Sequence, residues 1–243
     1  MVRSAEQSWD EGLEGVVLLP ESAPHAVDSG ARVWLDEAPR LALVAKRMLD
    51  VIGATMGLVV LLPIVLAVAL AVRLDSRGPV LYRHTRVGRD GRLFRLAKFR
   101  TMEPNADTLL ADLLAEHPEY REEWEARQKL PHDPRVTRVG RFLRRSSLDE
   151  LPQLWNVIRG DMSLVGPRPV THQELEKFGA VAPVVLSVRP GLTGQWAVSG
   201  RSHIDYDERV VMEFSYVMRW SFVDDLRILV RTVPAVLRGH GAH

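Results

Sequence analysis

VIGATMGLVVLLPIVLAVALAV, residues 51–72, is a run of 22 residues without a single charged side chain. At ~1.5 Å of rise per residue, a helix of this length would reach ~33 Å, enough to cross the ~30 Å hydrocarbon core of a bilayer. Pro63 lies in the middle of the run, where it removes a backbone hydrogen bond and kinks the helix. The run therefore predicts a bent apolar helix that enters a membrane, with a buried core helix as the less favoured interpretation.

Basic residues flank this run on both sides. They are Arg40, Lys46 and Arg47 before it, and Arg73, Arg77, Arg83 and Arg86 after it. Because cytoplasmic flanks of membrane segments carry the excess of Lys and Arg, both ends are expected on the cytoplasmic side. A re-entrant helix that bends at Pro63 and returns satisfies both observations, and a kinked single span remains the alternative.

The amino-acid composition excludes several classes of protein. The sequence contains no cysteine, which excludes a disulfide scaffold, a thiol nucleophile and thiolate metal sites. With 46% hydrophobic residues the polypeptide is able to bury a core, so wholesale disorder is excluded. Lys and Arg number 32 against 31 Asp and Glu, a net charge of +1, and no nucleic-acid partner is expected from so even a balance.

Three segments follow from these patterns. Residues 1–45 carry eight acids against three arginines and have no apolar run long enough for a signal peptide, so they are predicted to be a flexible acidic extension. Residues 46–77 form the predicted re-entrant helix with its basic flanks. Residues 78–238 are predicted to be a folded domain on the cytoplasmic face of the cytoplasmic membrane.

Two local patterns predict elements of that domain. Short strands at 80–82 and 93–96 are expected to pair around a turn at Asp90-Gly91. Apolar residues at helical spacing predict an amphipathic helix from Phe222 to Leu237, either in the membrane interface with Trp220 as an anchor or packed on the core.

The hexapeptide Ser147-Leu148-Asp149-Glu150-Leu151-Pro152 contains the candidate site. Pro152 is tolerated in the first turn of a helix, so a helix is expected to begin close to Asp149. Asp149 as an N-cap, or Ser147 and Glu150 as a capping box, are the purely structural alternatives. In the functional interpretation, adjacent carboxylates at a helix N-terminus, following Arg144 and Arg145, suit a phosphate with a divalent cation, and hence phosphoryl transfer.

Six stretches in this order carry a family resemblance. They are Lys98–Met102, Asp133–Gly140, Ser147–Val157, Gly160–Pro169, Arg189–Gly194 and Val198–Arg201. With them, residues 46–238 resemble the bacterial sugar transferase family of small monotopic phosphoglycosyl transferases. The resemblance implies a helix-rich α/β fold: a monotopic membrane protein with a proline-kinked re-entrant helix and a small cytoplasmic catalytic domain.

The resemblance also implies a reaction. Such enzymes transfer a sugar-1-phosphate from a UDP-sugar to polyprenyl (undecaprenyl) phosphate and release UMP, as a first step of exopolysaccharide, capsule or glycan assembly. Asp149 is implied as the nucleophile that carries a covalent phosphosugar, and Glu150 as the Mg²⁺ ligand. UDP-sugar, polyprenyl phosphate and membrane lipid are the expected partners, and a homodimer is a further expectation.

Other site residues are carried over from the family motifs. They are the substrate-binding candidates Lys98, Arg100, Arg144, Arg168, Arg189 and Arg201. Arg168 stands between two prolines, a rigid backbone suited to aiming a guanidinium. For Arg189 and Arg201 a surface or membrane-facing role is the alternative. Asp225 matches a family acid, whereas Asp224 stands where an apolar residue is expected, which leaves the seating of the last helix open.

Two other functions compete with the transferase. One is a non-enzymatic, membrane-anchored protein that binds anionic lipid or nucleic acid through its basic face. The paired carboxylates within the arginine cluster count against it. The other is a metal-dependent hydrolase of nucleotide sugars, which would release UMP without a lipid acceptor.

Overall fold

A computed structural model describes most of the polypeptide from residue 40 onward. The described residues are 40–117, 120–122, 124, 130, 133–199 and 205–238. The predicted acidic extension therefore lies outside them up to residue 39, and so does Arg201. Helices dominate the described ranges, together with two small two-stranded sheets, which is a helix-rich α/β architecture as predicted.

The apolar run forms two helices that meet at a sharp bend. Helix α1 spans Arg40–Val60 and helix α2 spans Leu62–Asp75, with a bend of 62° between them. The break is at Leu61, so Pro63 falls in the first turn of α2, where its missing N–H removes no helical hydrogen bond. Within the described residues, no single helix is both long and apolar enough to cross a bilayer, whereas α1 and α2 together meet that criterion.

Helix α1 is attached to the body of the protein by three charged side chains. It begins at Arg40, six residues before the boundary that the sequence suggested. Lys46 forms an ion pair with Asp225, and Arg47 donates to the backbone carbonyls of Val157 and Ile158. Asp50, which is buried, accepts hydrogen bonds from residues 163 and 164. The part of α1 beyond residue 50 carries no charged side chain and is therefore free of such anchors.

Helix α2 returns to the same body. Its residues Val68 and Val72 are buried against Phe99 and Leu143. Beyond its last turn, the side chain of Arg100 donates to the backbone carbonyls at positions 76 and 77. Both ends of the bent pair are thus fixed to one folded unit.

The polypeptide next forms the predicted hairpin. Strand β1 (Leu81–Val87) pairs antiparallel with strand β2 (Leu93–Phe99), in a register that places Leu81 opposite Phe99. A 3-10 turn over Arg89–Gly91 connects them, with Asp90 in the left-handed region at φ 57°. The prediction of two strands joined around Asp90-Gly91 is confirmed, although both strands are longer than expected.

The remaining elements complete the body. In sequence order, helices α3 to α5 are Ala106–Glu116, Arg138–Ser146 and Gln153–Arg159; strand β3 is Ser163–Val165; helices α6 and α7 are His172–Glu176 and Ala182–Leu186; strand β4 is Gly191–Thr193; and helices α8 to α10 are Gln195–Ser199, Tyr206–Met218 and Phe222–Arg238. Strands β3 and β4 pair in parallel. A core of Ala54, Leu96, Leu154, Val157 and Met162 joins α1, β2 and α5 beneath the site.

Helix α4 packs unusually close to the backbone of Thr101, just beyond the end of β2. Thr137 caps its N-terminus by accepting a hydrogen bond from the N–H of Gly140. A Cβ atom at Gly140 would lie 2.1 Å from the carbonyl oxygen of Thr101, so only glycine fits there. This close approach aligns α4 with the end of β2, and the side chains of both elements meet in the candidate site.

The last helix, α10, confirms the amphipathic segment predicted from Phe222. Its Asp225 is fully buried and accepts from Tyr216 and from the indole N–H of Trp220. Asp224 instead points outward and bonds Ser221, which explains how two adjacent acids are accommodated at the start of this helix. Four large apolar side chains of α10 are exposed. They are Val223, Leu226, Val230 and Val233.

Candidate active site

The two candidate carboxylates lie on a short turn between α4 and α5. Leu148–Glu150 form a 3-10 turn, which Ser147 enters in the left-handed conformation at φ 56°. Helix α5 begins only after Pro152, and no side chain caps it or the 3-10 turn. The capping interpretations of Asp149 and Ser147 are therefore wrong. A helical turn does begin beside Asp149, as expected, but it is this 3-10 turn, and α5 itself begins four residues after Asp149. Asp149 is buried, with 8% of its surface exposed, whereas Glu150 reaches further toward solvent.

Two cations from neighbouring elements face this pair. The Nζ of Lys98, on β2, lies 2.7 Å from Oε1 of Glu150 and 3.8 Å from Oδ2 of Asp149. Arg144, on α4, donates from Nε to the hydroxyl of Thr101 at 3.0 Å, and its charge acts on Asp149. Three residues predicted for the site, Lys98, Arg144 and Glu150, are thus brought together around Asp149.

Burial sets the chemistry of Asp149. It raises the pKa of this carboxyl to about 6, and the adjacent charge of Glu150 acts in the same direction, while Lys98 and Arg144 oppose the shift. At neutral pH the group is therefore mostly ionised yet poorly solvated. A desolvated carboxylate beside two cations is suited to act as a nucleophile toward an electrophilic phosphorus.

Asp149 and Glu150 line a cleft of about 920 Å³, which is large enough for a nucleotide-sized ligand. The charged residues that line it, called here the charged wall, are Lys98, Arg100, Glu103, Asp107, Arg144, Asp149, Glu150, Arg168 and Arg209. The apolar residues that line it, called here the apolar wall, include Leu61, Leu151, Leu154, Leu164, Leu192, Leu229 and Val236. The apolar wall includes residues from the bend of α1 and α2, from α5 and from α10. One cleft therefore joins a charged site to the apolar surface of the bent helices.

The family model for bacterial sugar transferases matches residues 41–239. This chain belongs to the bacterial sugar transferase family. The match covers all the described elements beyond the first residue of α1, including both walls of the cleft.

Individual relatives support the assignment. An "Exopolysaccharide production protein ExoY" of Sinorhizobium fredii is 46% identical over 82% of this chain and 88% of its own length. A "UDP-glucose:undecaprenyl-phosphate glucose-1-phosphate transferase" of Caulobacter vibrioides is 39% identical over 90% of this chain and 82% of its own. An "Undecaprenyl-phosphate galactose phosphotransferase" of Salmonella typhimurium is 46% identical over 87% of this chain, which spans only 44% of that protein.

Four further arginines were expected at this site. Arg100 lines the cleft, but its guanidinium donates to the backbone and hydroxyl of Ser76 and so fastens the end of α2. Arg189 donates to the carbonyl of Gly160, at the C-terminus of α5. Arg201 lies outside the described residues. The geometry thus gives Arg100 and Arg189 contacts that stabilise the fold.

Arg168 is placed in the cleft as the resemblance implied. Its guanidinium lies 5.0 Å from the centre of the Trp196 ring. Its backbone N–H donates to Oε1 of Glu213 on α9 at 3.0 Å. Sequence reasoning missed Glu213 and Arg209, although a charged pair at i and i+4 within an otherwise apolar helical stripe is a signal that could have indicated them.

The paired carboxylates also suit a metal ion. Among the described residues no group of three or more acids and histidines gathers around a point. Mg²⁺ is commonly held by one or two carboxylates together with substrate phosphates, so Asp149 and Glu150 fit such a site. Glu150 would be the better placed ligand of the two, because its side chain is about one-third exposed and lines the cleft.

Glu213 gives a pH-dependent prediction for stability. Burial raises the pKa of its carboxyl to about 7, against the attraction of Arg209 and Arg168. The folded state then binds this proton more tightly than the unfolded state, so the free energy of unfolding falls as pH rises from ~4.5 to ~7. Glu213→Gln, which keeps an oxygen to accept from Arg168, is expected to be more stable than wild type by about 2–3 kcal/mol at pH 8.

Urea unfolding at pH 4.5 and pH 8 tests this expectation. The stabilisation should be small at pH 4.5, because Glu213 is then protonated in the folded state and about half protonated in the unfolded state. Glu208→Gln, an exposed change on the same helix, is the matched control and should give no such difference. Equal stability of Glu213→Gln and wild type at pH 8 would show that burial does not raise the pKa of Glu213.

Proposed function

We propose that this protein transfers a sugar-1-phosphate from a UDP-sugar to polyprenyl phosphate and releases UMP. The observation that carries the proposal is the buried carboxylate of Asp149 beside Lys98 and Arg144, in a cleft with one charged wall and one apolar wall. The charged wall suits a nucleotide diphosphate, and the apolar wall suits an isoprenoid chain. The names of the relatives point to galactose and glucose as transferred sugars, and to exopolysaccharide production as the pathway.

The proposed reaction has two steps. A carboxylate oxygen of Asp149 attacks the phosphorus that bears the sugar. The new bond joins Asp149 to this phosphorus, and the bond to the bridging oxygen breaks, so that UMP leaves with both electrons of that bond. In the second step an oxygen of polyprenyl phosphate attacks the same phosphorus and the bond to Asp149 breaks. The product is a polyprenyl diphosphate sugar, and the carboxylate is regenerated.

Cations on the charged wall lower the barrier to the first step. A carboxylate approaching a diphosphate meets strong repulsion, which Lys98 and Arg144 offset from fixed positions. Thr101 holds Arg144 in place through the hydrogen bond to Nε. A Mg²⁺ ion held by Glu150 would supply further neutralisation of the phosphate charge.

We also propose that the protein is a monotopic enzyme of the cytoplasmic membrane. Large apolar side chains are exposed along both arms of the bend, among them Met56, Val60, Leu66 and Leu70. Both ends of the bent pair are fixed to one body and carry exposed arginines, Arg40, Arg73 and Arg77, which supports a re-entrant seat over a single span.

The bend limits how deep this segment reaches. The bend of 62° inclines α1 and α2 by ~31° each to the membrane plane if the two helices are placed symmetrically. Ten residues at ~1.5 Å each then carry the bend ~8 Å below the surface. One leaflet of hydrocarbon is ~15 Å thick. The segment is therefore expected to stay within one leaflet, with the exposed apolar face of α10 lying flat in the interface.

Release of UMP by detergent-purified protein tests the proposed function. The reaction contains Mg²⁺ and a panel of UDP-sugars, each with and without undecaprenyl phosphate. Sustained release that depends on the lipid is expected for at least one sugar, and that sugar identifies the donor. Sustained release without lipid would instead assign the protein as a hydrolase. No release with any donor would favour the non-enzymatic anchor.

A further inference from the structure

A second group of cations lines the same cleft through different elements. Arg168 lies in the segment after β3, and Arg209 lies on α9, whereas Lys98 and Arg144 belong to β2 and α4. The proposed chemistry at Asp149 uses only the latter pair. Arg209 has no part in that chemistry.

Arg168 and Arg209 both have hydrogen-bond donors without a partner among the described residues. The Nε atoms of Arg168 and Arg209 are buried and have no hydrogen-bond partner among the described residues. Nη2 of Arg209 comes no closer than 3.7 Å to its carboxylate neighbour, Oε1 of Glu174. The Nε atoms of Arg86 and Arg100 are also unpaired within the described ranges, but the terminal nitrogens of these two donate to Glu174 and to the backbone after α2. Buried guanidinium donors left unpaired are unfavourable, so the retention of Arg168 and Arg209 in the lining of a cleft indicates an anionic ligand.

Aromatic and backbone contacts hold the two guanidinium groups in place. Arg168 lies over the ring of Trp196, and Arg209 lies over the ring of Tyr206 at 4.2 Å from its centre. The hydroxyl of Tyr206 donates to the carbonyl of Glu174. These contacts fix the direction of each guanidinium before any ligand binds, which reduces the entropy lost on binding.

The net charge of the side chains around Arg168 and Arg209 is positive. Three guanidinium groups, of Arg86, Arg168 and Arg209, face two carboxylates, of Glu174 and Glu213. Arg86 already pairs with Glu174 at 2.8 Å. Since burial raises the pKa of Glu213 to about 7, that group is only partly ionised at neutral pH. The charge of Arg168 and Arg209 is therefore not fully balanced by these carboxylates.

We propose that Arg209 joins Arg168, already a substrate-binding candidate, to form a second phosphate-binding subsite in the cleft, apart from the one at Lys98 and Arg144. This inference rests on the proposed function, in which two phosphate-bearing substrates use one cleft. The planar guanidinium matches the oxygens of a phosphate, and two of them suit a dianion. The phosphate belongs either to the nucleotide that leaves or to the acceptor lipid, and each source predicts a different experimental result.

Binding of UMP, measured by calorimetry on the detergent-solubilised full-length protein, is the first arm of the test. The second arm is the KM for undecaprenyl phosphate. Arg209→Gln is expected to weaken one of the two by about 10- to 100-fold, and Arg209→Lys by less, because it restores the charge without the fork. Arg219→Gln, an exposed change at the end of the same helix, is the matched control and should alter neither.

Each result has a distinct meaning. Weaker UMP binding with an unchanged lipid KM assigns the subsite to the nucleotide phosphate, and a raised lipid KM with unchanged UMP binding assigns it to the acceptor. Less than about 2-fold change in both quantities for Arg209→Gln and for Arg168→Gln overturns the subsite. If wild type transfers no sugar, the proposed function fails, and UMP affinity alone decides whether these arginines bind a nucleotide phosphate.

Discussion

Replacing Asp149 with Asn is expected to lower lipid-dependent UMP release by at least ~10⁴-fold, because an amide oxygen cannot form the proposed bond to phosphorus. The side chain keeps its size and place in the turn. Since burial raises the pKa of Asp149 to about 6, the ionised form opposes folding at pH 8, and a neutral amide should leave the protein folded. Loss of turnover without loss of stability is the expected pair of results.

Trapping the covalent intermediate sharpens this test. Wild type incubated with the donor but without the lipid should gain the mass of one sugar phosphate, located on the peptide that contains Asp149. Asp149→Asn should gain none. Glu150→Gln should form the same adduct more slowly, by about 10²- to 10³-fold, because it loses a charge near the phosphate and keeps the nucleophile.

Asp112→Asn is the matched control, an exposed carboxylate of α3 outside the lining of the cleft. It should retain wild-type turnover and the adduct. An adduct on Asp149→Asn, or turnover within tenfold of wild type, would contradict the assignment of the nucleophile.

Lys46→Met is expected to have the largest effect on stability, a loss of about 3–5 kcal/mol. The change leaves the fully buried Asp225 with only the hydroxyl of Tyr216 and the indole of Trp220 to offset its charge. An unpaired buried carboxylate is far more costly than a missing surface contact. Lys46 also donates to the carbonyl of Val165, so β3 loses a contact with α1 at the same time.

Chemical unfolding in detergent measures this loss. Arg40→Met, an exposed change at the start of the same helix, should alter the free energy of unfolding by less than about 0.5 kcal/mol. Adding Asp225→Asn to Lys46→Met should recover part of the loss, because no buried charge is then left unpaired. A single Lys46→Met variant within about 1 kcal/mol of wild type would show that the pair does not anchor α1.

Local patterns account for much of what the sequence predicted about the fold. The apolar run with Pro63 predicts a bent helix because proline is not accommodated in the interior of a straight helix, and the break at Leu61 places Pro63 in the first turn of α2 instead. The hairpin at Asp90-Gly91 and the amphipathic helix from Phe222 follow from equally local rules. The start of α5 could not be predicted in the same way, because the left-handed conformation of Ser147 inserts a separate turn before Pro152.

The contacts that the arginine side chains make could not be predicted from their sequence motifs. A guanidinium reaches several ångströms from its backbone, so its partner is decided by tertiary packing. Arg100 and Arg168 occur in equally specific motifs, yet one fastens Ser76 and the other lies over Trp196 in the cleft. Arg209 shows the converse case, since it belongs to none of the six family stretches and only the fold brings it to the cleft.

The apolar wall at the bend of α1 and α2 has a kinetic consequence. In the proposed monotopic placement the cleft opens at the level of the lipid phosphates, so the proposed lipid acceptor would arrive by diffusion in the plane of the membrane, without leaving the leaflet. Encounter then depends on the number of acceptor molecules per unit area of membrane, while the water-soluble donor is still captured from three dimensions. The rate of the second step should therefore follow the mole fraction of acceptor in a vesicle or micelle, and dilution of the whole sample should leave it unchanged.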